Sequence, residues 1–446
     1  MNFVSTNDAA HRVGLKQAVL ESLPPDNGLY MPEHIPILDA GFWEEWRDLT
    51  FQEIGWRVAQ AFFGDDVPED SLRAIVNETL TFDAPLVEVA ERQYVLELFH
   101  GPTLAFKDFG ARFMARLMGW LARDDASLLT VLVATSGDTG GAVAHAFHDV
   151  PGIRVVILYP QGKVSGLQEK QLTTLGGNIS ALEVAGSFDD CQRLVKAALL
   201  DPGLSDHLRL TSANSINISR LVPQVFYYIH SARLLPEAIA PVFVVPSGNL
   251  GNLTAGLLAQ RLGLKVDHFV AANNRNDVLT DYLAGQPYAP RPSRVTLSNA
   301  MDVGAPSNFA RMLALFDDSR DAMCRRVSGC SVSDRQTAAA IREVAAEHHY
   351  QLDPHGAVGW CAARQWRRAH PGACTIVLET AHPAKFPEVL DRVLGKGQVE
   401  IPERLACLAD KAKCAIPMAA DTATFFDWLR QWPEESGAWT TQGWTV

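Results

Sequence analysis

From Tyr94 onward the chain alternates short runs rich in β-branched and aromatic residues with longer stretches whose apolar positions recur at helical spacing. The runs Tyr94–Phe99, Leu128–Ala134, Val155–Tyr159, Ile179–Val184, Val242–Val245, Val266–Ala271 and Thr375–Leu378 are largely apolar, as strands covered on both faces are. Between them the pattern predicts helices up to Leu121, after Thr139, over Leu167–Leu175, from Ser187 through Leu200, from Leu253, after Ser333 and after His355. Such alternation predicts open, mostly parallel α/β sheets with right-handed crossovers. Residues 1–80 read instead as mainly helical, interrupted by Leu23-Pro24-Pro25-Asp26-Asn27-Gly28 and Met31-Pro32. The expected organisation is an accessory domain over 1–80, a large α/β domain over 81–125 and 216–446, and a smaller inserted α/β domain over 126–215.

Composition narrows the function classes. A net charge of −12 over 446 residues argues against a nucleic-acid or anionic-membrane partner, and no window is apolar enough to span a bilayer. The seven cysteines include no Cys-x-x-Cys pair and no histidine spacing for a metal, which predicts reduced thiols in a cytoplasmic protein without a metal site. The first ten residues lack the basic head and apolar run of an export signal. An anionic ligand must therefore be held by local groups.

Four places carry candidate chemistry. Lys107 lies between Phe106 and Phe109 at the junction of an apolar strand and an apolar helix. Scarce water there disfavours the protonated amine and makes it a candidate Schiff-base nucleophile; a helix-start lysine snorkelling to solvent is the other reading. Val245-Pro246-Ser247-Gly248-Asn249-Leu250-Gly251-Asn252 follows a strand and opens a helix. Its glycines let backbone N–H groups converge as a phosphate cradle, or simply make a tight turn without the Walker or Gly-x-Gly-x-x-Gly pattern. The loop Thr135-Ser136-Gly137-Asp138-Thr139 suits a carboxylate, or Asp138 or Thr139 merely caps the helix. After the last strand, Thr380 offers a hydroxyl able to donate or accept, with His382 and Lys385 read as structural or entry-loop residues.

Seven segments, in order, resemble the threonine synthase family of pyridoxal-phosphate (PLP) enzymes, of the tryptophan-synthase-β fold type, in its enteric-bacterial and fungal branch. They are HGPTLAFKDFGARF, ATSGDTGGA, GKVSGLQEKQLTTLGGNI, SANSINISR, VPSGNLGNLTAG, SNAMDVGAPSN and TAHPAKF. The resemblance implies PLP fold type II, covalent attachment of PLP to Lys107, and phosphate binding by Gly248, Asn249, Leu250, Gly251 and Asn252. It also implies a ring-nitrogen contact from Thr380, whose neutral hydroxyl makes the ring a weaker electron sink than an aspartate would. The substrate carboxylate is expected on Ser136, Gly137, Asp138 and Thr139. The substrate phosphate is expected on Lys163, Ser165 and Arg220, with an internal ion pair the other reading for Arg220.

Two positions depart from the branch pattern. Leu250 stands where phenylalanine is common, which is expected to alter packing alone. Glu379 stands where small residues are usual, so its carboxyl either points away from the ring or raises the proton affinity of the ring nitrogen. The implied reaction converts O-phospho-L-homoserine and water to L-threonine and phosphate, with a monomer or weak homodimer expected. The alternatives are a phospho-lyase of the same scaffold that releases 2-oxobutyrate, and a non-catalytic phosphate-ligand binding protein.

Overall fold

The computed structural model describes residues 1–205, 207–236 and 239–431. In chain order its main elements after residue 80 begin with strands β1 (Leu86–Ala90) and β2 (Gln93–Glu97) and helix α1 (Lys107–Ala122). There follow β3 (Leu129–Ala134), α2 (Asp138–Phe147), β4 (Ile153–Pro160), α3 (Gly166–Thr173), β5 (Ile179–Ala185), α4 (Phe188–Leu199) and β6 (Arg209–Ser212). Next come α5 (Gln224–Leu234), β7 (Val242–Pro246), α6 (Gly251–Arg261), β8 (His268–Asn273) and β9 (Val327–Ser331). The series closes with α7 (Asp334–His348), α8 (Pro354–Ala369), β10 (Thr375–Glu379) and β11 (Ile416–Ala419).

These elements form two compact units. The first comprises Met1, Met31–Phe106 and Leu221–Pro402; the second comprises Asn2–Tyr30, Lys107–Arg220 and the residues from Glu403. The chain thus leaves the first unit at Phe106 and enters the second at Lys107.

The first unit holds a six-stranded sheet in the order β9-β8-β7-β10-β2-β1, parallel except for the β1–β2 edge. Its interior strands carry valines on the face that packs against α8, where Val244, Val270, Val377 and Trp360 are almost fully buried. Each buried valine contributes roughly 1.5 kcal/mol. Asp353 caps α8 from the side chain, and Pro354 at its first position needs no N–H partner. The central strands β7 and β10 are neighbours in parallel register, Val242 beside Thr375. Their carboxyl ends therefore open side by side, where α/β sheets present ligand-binding loops.

The second unit holds a fully parallel five-stranded sheet, β11-β5-β4-β3-β6. Leu132, Val156, Leu158 and Leu182 bury one face against Leu194 and Val195 of α4. The C-terminal strand β11 lies beside β5, and Lys413 just before it pairs with Glu169 at 2.7 Å and Glu183 at 2.8 Å.

The strands read from the sequence are present with shifted ends. The edge strands β1, β6, β9 and β11 carry no long apolar run and escape a periodicity reading. Residues 1–80 contain a small sheet of Phe3–Ser5, Arg12–Val13 and Tyr30–Pro32 as well as helices such as Phe51–Phe63 and Glu69–Thr79.

Candidate active site

In the first unit the turn after β7 is held from several sides. The Ser247 N–H donates to Ala272 O at 2.9 Å, and the Asn273 side-chain amide donates to Ser247 O at 2.8 Å. Gly248 lies so close to the 298–302 segment that a Cβ would meet Met301 Cα at 2.8 Å. Leu250 adopts the left-handed conformation at φ 62° and is nearly buried, storing roughly 1–2 kcal/mol of strain for a non-glycine residue. Such strain is found where a function fixes the backbone. The eleven-residue helix α6 then starts at Gly251 with no side chain capping it. Its first N–H groups and its positive end face the turn.

Asn249 and Asn252 are both organised. Asn249 Oδ1 accepts the Ser307 N–H at 2.6 Å, and its carbonyl accepts from the Asn308 amide at 3.0 Å. Asn308 is in turn held by Arg311 at 2.8 Å, a fully buried guanidinium whose pKa is depressed to about 9 by desolvation. Asn252 Oδ1 accepts hydroxyl bonds from Tyr227 and Tyr228, both at 2.8 Å, while its buried Nδ2 has no partner among the described residues.

Thr380 follows β10, the strand next to β7. Among the described residues its hydroxyl makes no hydrogen bond, and its carbonyl accepts the Phe106 N–H at 2.9 Å. Lys385, fully buried, donates to Thr103 O at 2.8 Å, and His382 Nδ1 accepts the Ala384 N–H. Both brace the chain around them, Lys385 through Thr103 and His382 through its N–H to Leu104 O.

Glu379 packs against the base of α8. Fully buried, its Oε1 accepts the Asp353 N–H, while its Oε2 lies where a Cβ on Gly356 would sit, at 1.4 Å. Asp353 accepts far more: the N–H groups of His355 and Gly356, His355 Nδ1–H at 3.0 Å, and the Ala381 N–H at 2.9 Å. These four donors and the start of α8 converge on one carboxyl. Burial, and then the Asp353 charge, push the Glu379 carboxyl far up, so it stays protonated. His355 Nε2 accepts the Ala300 N–H at 3.2 Å, which leaves Nδ1 to face Asp353.

In the second unit Lys107 begins α1, with its side chain 16% exposed and its amine 3.8 Å from Asp138 Oδ2. The Thr135 hydroxyl accepts from Gly137 N–H at 3.0 Å and Gly140 N–H at 2.7 Å, shaping the turn. Gly137 takes φ 137°, and a Cβ there would strike Gln168. Gln168 Nε2 donates to Asp138 Oδ1 at 2.8 Å. Thr135 and Gln168 were not singled out from sequence, although both lie inside quoted motifs. Ser165 caps α3, Lys163 is exposed, and Arg220 is buried with its guanidinium donating to Ala213 O. Desolvation lowers Arg220 to about 10, with Asp108 opposing.

An uncapped helix after a glycine turn, a buried amide donor without a protein partner, and a partnerless hydroxyl at the next strand end fit the phosphate and ring nitrogen of PLP. A sequence model of pyridoxal-phosphate-dependent enzymes matches residues 81–379, and a crystal structure of PLP-bound threonine synthase from Brucella melitensis superposes at a TM-score of 0.89 with 35% identity, covering 96% of this chain and 99% of that one. The chain is a PLP-dependent enzyme of fold type II.

Models of the threonine synthase N terminus and C-terminal region match residues 2–80 and 356–426. Threonine synthase from Escherichia coli K12 is 43% identical over 425 residues, 95% of this chain and 98% of that protein. The crystal structure of threonine synthase from Escherichia coli matches at a TM-score of 0.91, over 97% of this chain and all of that one. The chain belongs to the threonine synthase family. Among the described residues no cluster suited to a metal ion occurs, and no helix is long and apolar enough to cross a membrane.

Proposed function

We propose that the protein converts O-phospho-L-homoserine and water to L-threonine and phosphate. The observation that carries this reading is the pair of neighbouring strand ends in the first unit. One opens an uncapped glycine turn and the other presents the partnerless Thr380 hydroxyl. Gly248, Asn249, Leu250, Gly251 and Asn252 would hold the cofactor phosphate, Thr380 would meet the ring nitrogen, and Lys107 would be the covalent attachment point. When bound, PLP supplies an electron sink for carbanions formed at the substrate's Cα and Cβ.

The remaining work falls to side chains. With its amine free, Lys107 would take the Cα proton as general base. The Asp138 carboxylate within reach of that amine stabilises its protonated form once the proton has been taken. Ser136, Gly137, Asp138 and Thr139 form the expected seat of the substrate carboxylate, with the turn shaped by Thr135. Lys163, Ser165 and Arg220 are proposed for the substrate phosphate; the Arg220 charge is already partly offset by Asp108. A second proton is lost from Cβ as phosphate leaves Cγ; Cγ then takes up a proton, water gives its hydroxyl to Cβ, and Cα regains a proton, with the released phosphate available to carry protons.

We place the enzyme in the cytoplasm as a monomer or weak homodimer, and retain 1–80 as an accessory domain and 126–215 as an inserted one. Assaying threonine and phosphate with wild type and Lys107→Ala tests the reading. Wild type should form both in equal amounts and Lys107→Ala neither; a keto acid without threonine from wild type overturns it in favour of a lyase.

A further inference from the structure

Asn252, assigned above to the phosphate cradle, has its side-chain oxygen set by hydroxyls from another helix. An amide side chain has an acceptor end and a donor end, and only the donor end suits a phosphate. Nothing in Asn252 itself selects one orientation: the two ends have nearly the same shape. Two hydroxyls from one helix make the choice. Tyr227 and Tyr228 on α5 each donate to Asn252 Oδ1 at 2.8 Å, and Tyr228 also lies 2.9 Å from the Asn252 carbonyl.

The tyrosines are themselves fixed. Both are fully buried, their rings lie 5.2 Å apart, and Tyr228 packs edge-on against Phe243 of β7 at 4.9 Å. Tyr228 also fills the space above Gly256 on α6, where a Cβ would meet its ring at 2.8 Å. Burial raises both phenols well above their usual range, so the hydroxyls keep their protons and act as donors. With Oδ1 engaged, Nδ2 is left buried and without a protein partner at the first turn of α6. A buried donor with no acceptor costs free energy until a ligand supplies one.

We propose that Tyr227 and Tyr228 are positioning residues that lock the Asn252 amide with its Nδ2 donor toward the cofactor phosphate. The proposal rests on the assignment of Asn252 to that phosphate. Loss of both hydroxyls frees the amide to rotate and present Oδ1, which repels a phosphate oxygen. One hydroxyl is enough to select the orientation, so the two substitutions are not additive.

The test is a titration of apoenzyme with PLP, followed by absorbance, in Y227F, Y228F, Y227F/Y228F, N252A and the triple variant. Phenylalanine keeps the rings and their packing, so folding is preserved; thermal denaturation of each apoenzyme checks this. Expected are single-variant dissociation constants within about threefold of wild type, a double variant weakened about tenfold or more, and N252A weakened comparably. In the N252A background the two hydroxyl deletions should change PLP affinity less than about twofold, because no amide remains to orient.

A double variant that binds PLP like wild type, while N252A does not, overturns the proposal and leaves the cradle reading intact. A double variant that is equally damaging with and without Asn252 also overturns it, since the tyrosines then act through packing alone. N252A with unchanged PLP affinity overturns the assignment on which the proposal rests.

Discussion

Replacing Gly248 with alanine tests whether the turn after β7 is shaped by its neighbours for one ligand. A Cβ at this position lies 2.8 Å from Met301 Cα and 3.2 Å from Ala300 O. Ordinary contact between carbons is about 3.5–4.0 Å, so a gap roughly 0.7–1.2 Å short must be opened by moving backbone. The facing segment cannot move freely. The Ala300 N–H is held by His355 at 3.2 Å, and Asp302 Oδ1 accepts from Thr296, Asn274 and Asn276 at 2.7, 2.9 and 3.0 Å. The turn is tied as well, through Asn249 to Ser307 and Asn308. Overpacking of this kind costs about 1–3 kcal/mol. If the turn yields, its N–H groups leave the positions suited to a phosphate, and the same energy appears as a PLP dissociation constant raised about 5- to 150-fold. Titrating apo Gly248→Ala with PLP, with thermal denaturation of the apoenzyme alongside, measures both terms. Wild-type PLP affinity in this variant would refute the reasoning.

Two further outcomes follow from buried ionisable groups. Glu379→Gln keeps the acceptor for the Asp353 N–H and mimics a protonated acid. It should stay within about 1 kcal/mol of wild type in chemical denaturation, whereas Glu379→Ala should lose about 2–5 kcal/mol by leaving that N–H unsatisfied beside a cavity. Because the folded pKa of Glu379 is raised, wild type should lose stability relative to Glu379→Gln as pH rises above about 4.3; equal damage by Gln and Ala rules out the neutral acid. His268 stacks on Trp366 at 4.4 Å and is depressed to about 4 by burial. Its contribution is complete above about pH 6.5 and is lost as pH falls toward 4, with a slope below the roughly 1.4 kcal/mol per pH unit of one full proton. His268→Gln should therefore show a shallower fall in melting temperature between pH 7 and 5; parallel curves would contradict this.

The alternation of apolar runs and amphipathic stretches made the parallel sheets legible, because interior strands such as β3 and β7 are hydrophobic on both faces. Arg209–Ser212 and Val327–Ser331 were not legible, since an edge strand needs only one apolar face and short spans carry little pattern. The glycine turn at Gly248 and the hydroxyl of Thr380 could be read as chemistry from residue type and position after a strand. The groups that orient them could not. Tyr227 and Tyr228 bond Asn252, Arg311 reaches Asn249 through Asn308, and Asp353 holds the Ala381 N–H beside Thr380; all lie on elements distant in sequence, and their roles depend on which atom of a neighbour they satisfy. Glu379 shows the limit clearly: nothing in its own sequence neighbourhood signals its state, and only burial beside the tertiary partner Asp353 reveals that it is held as a neutral acid.

The neighbouring ends of β7 and β10 also set an order of events during synthesis. Gly248 and Thr380 follow the carboxyl ends of neighbouring strands, yet Thr380 is translated more than a hundred residues after Gly248. At about 5–20 residues per second, a ribosome takes on the order of 10 s to cover that distance. Throughout that interval the emerging chain carries the phosphate turn without the strand beside it. On the proposed assignment of both loops to PLP, cofactor capture waits until β10 and the loop after it have been made.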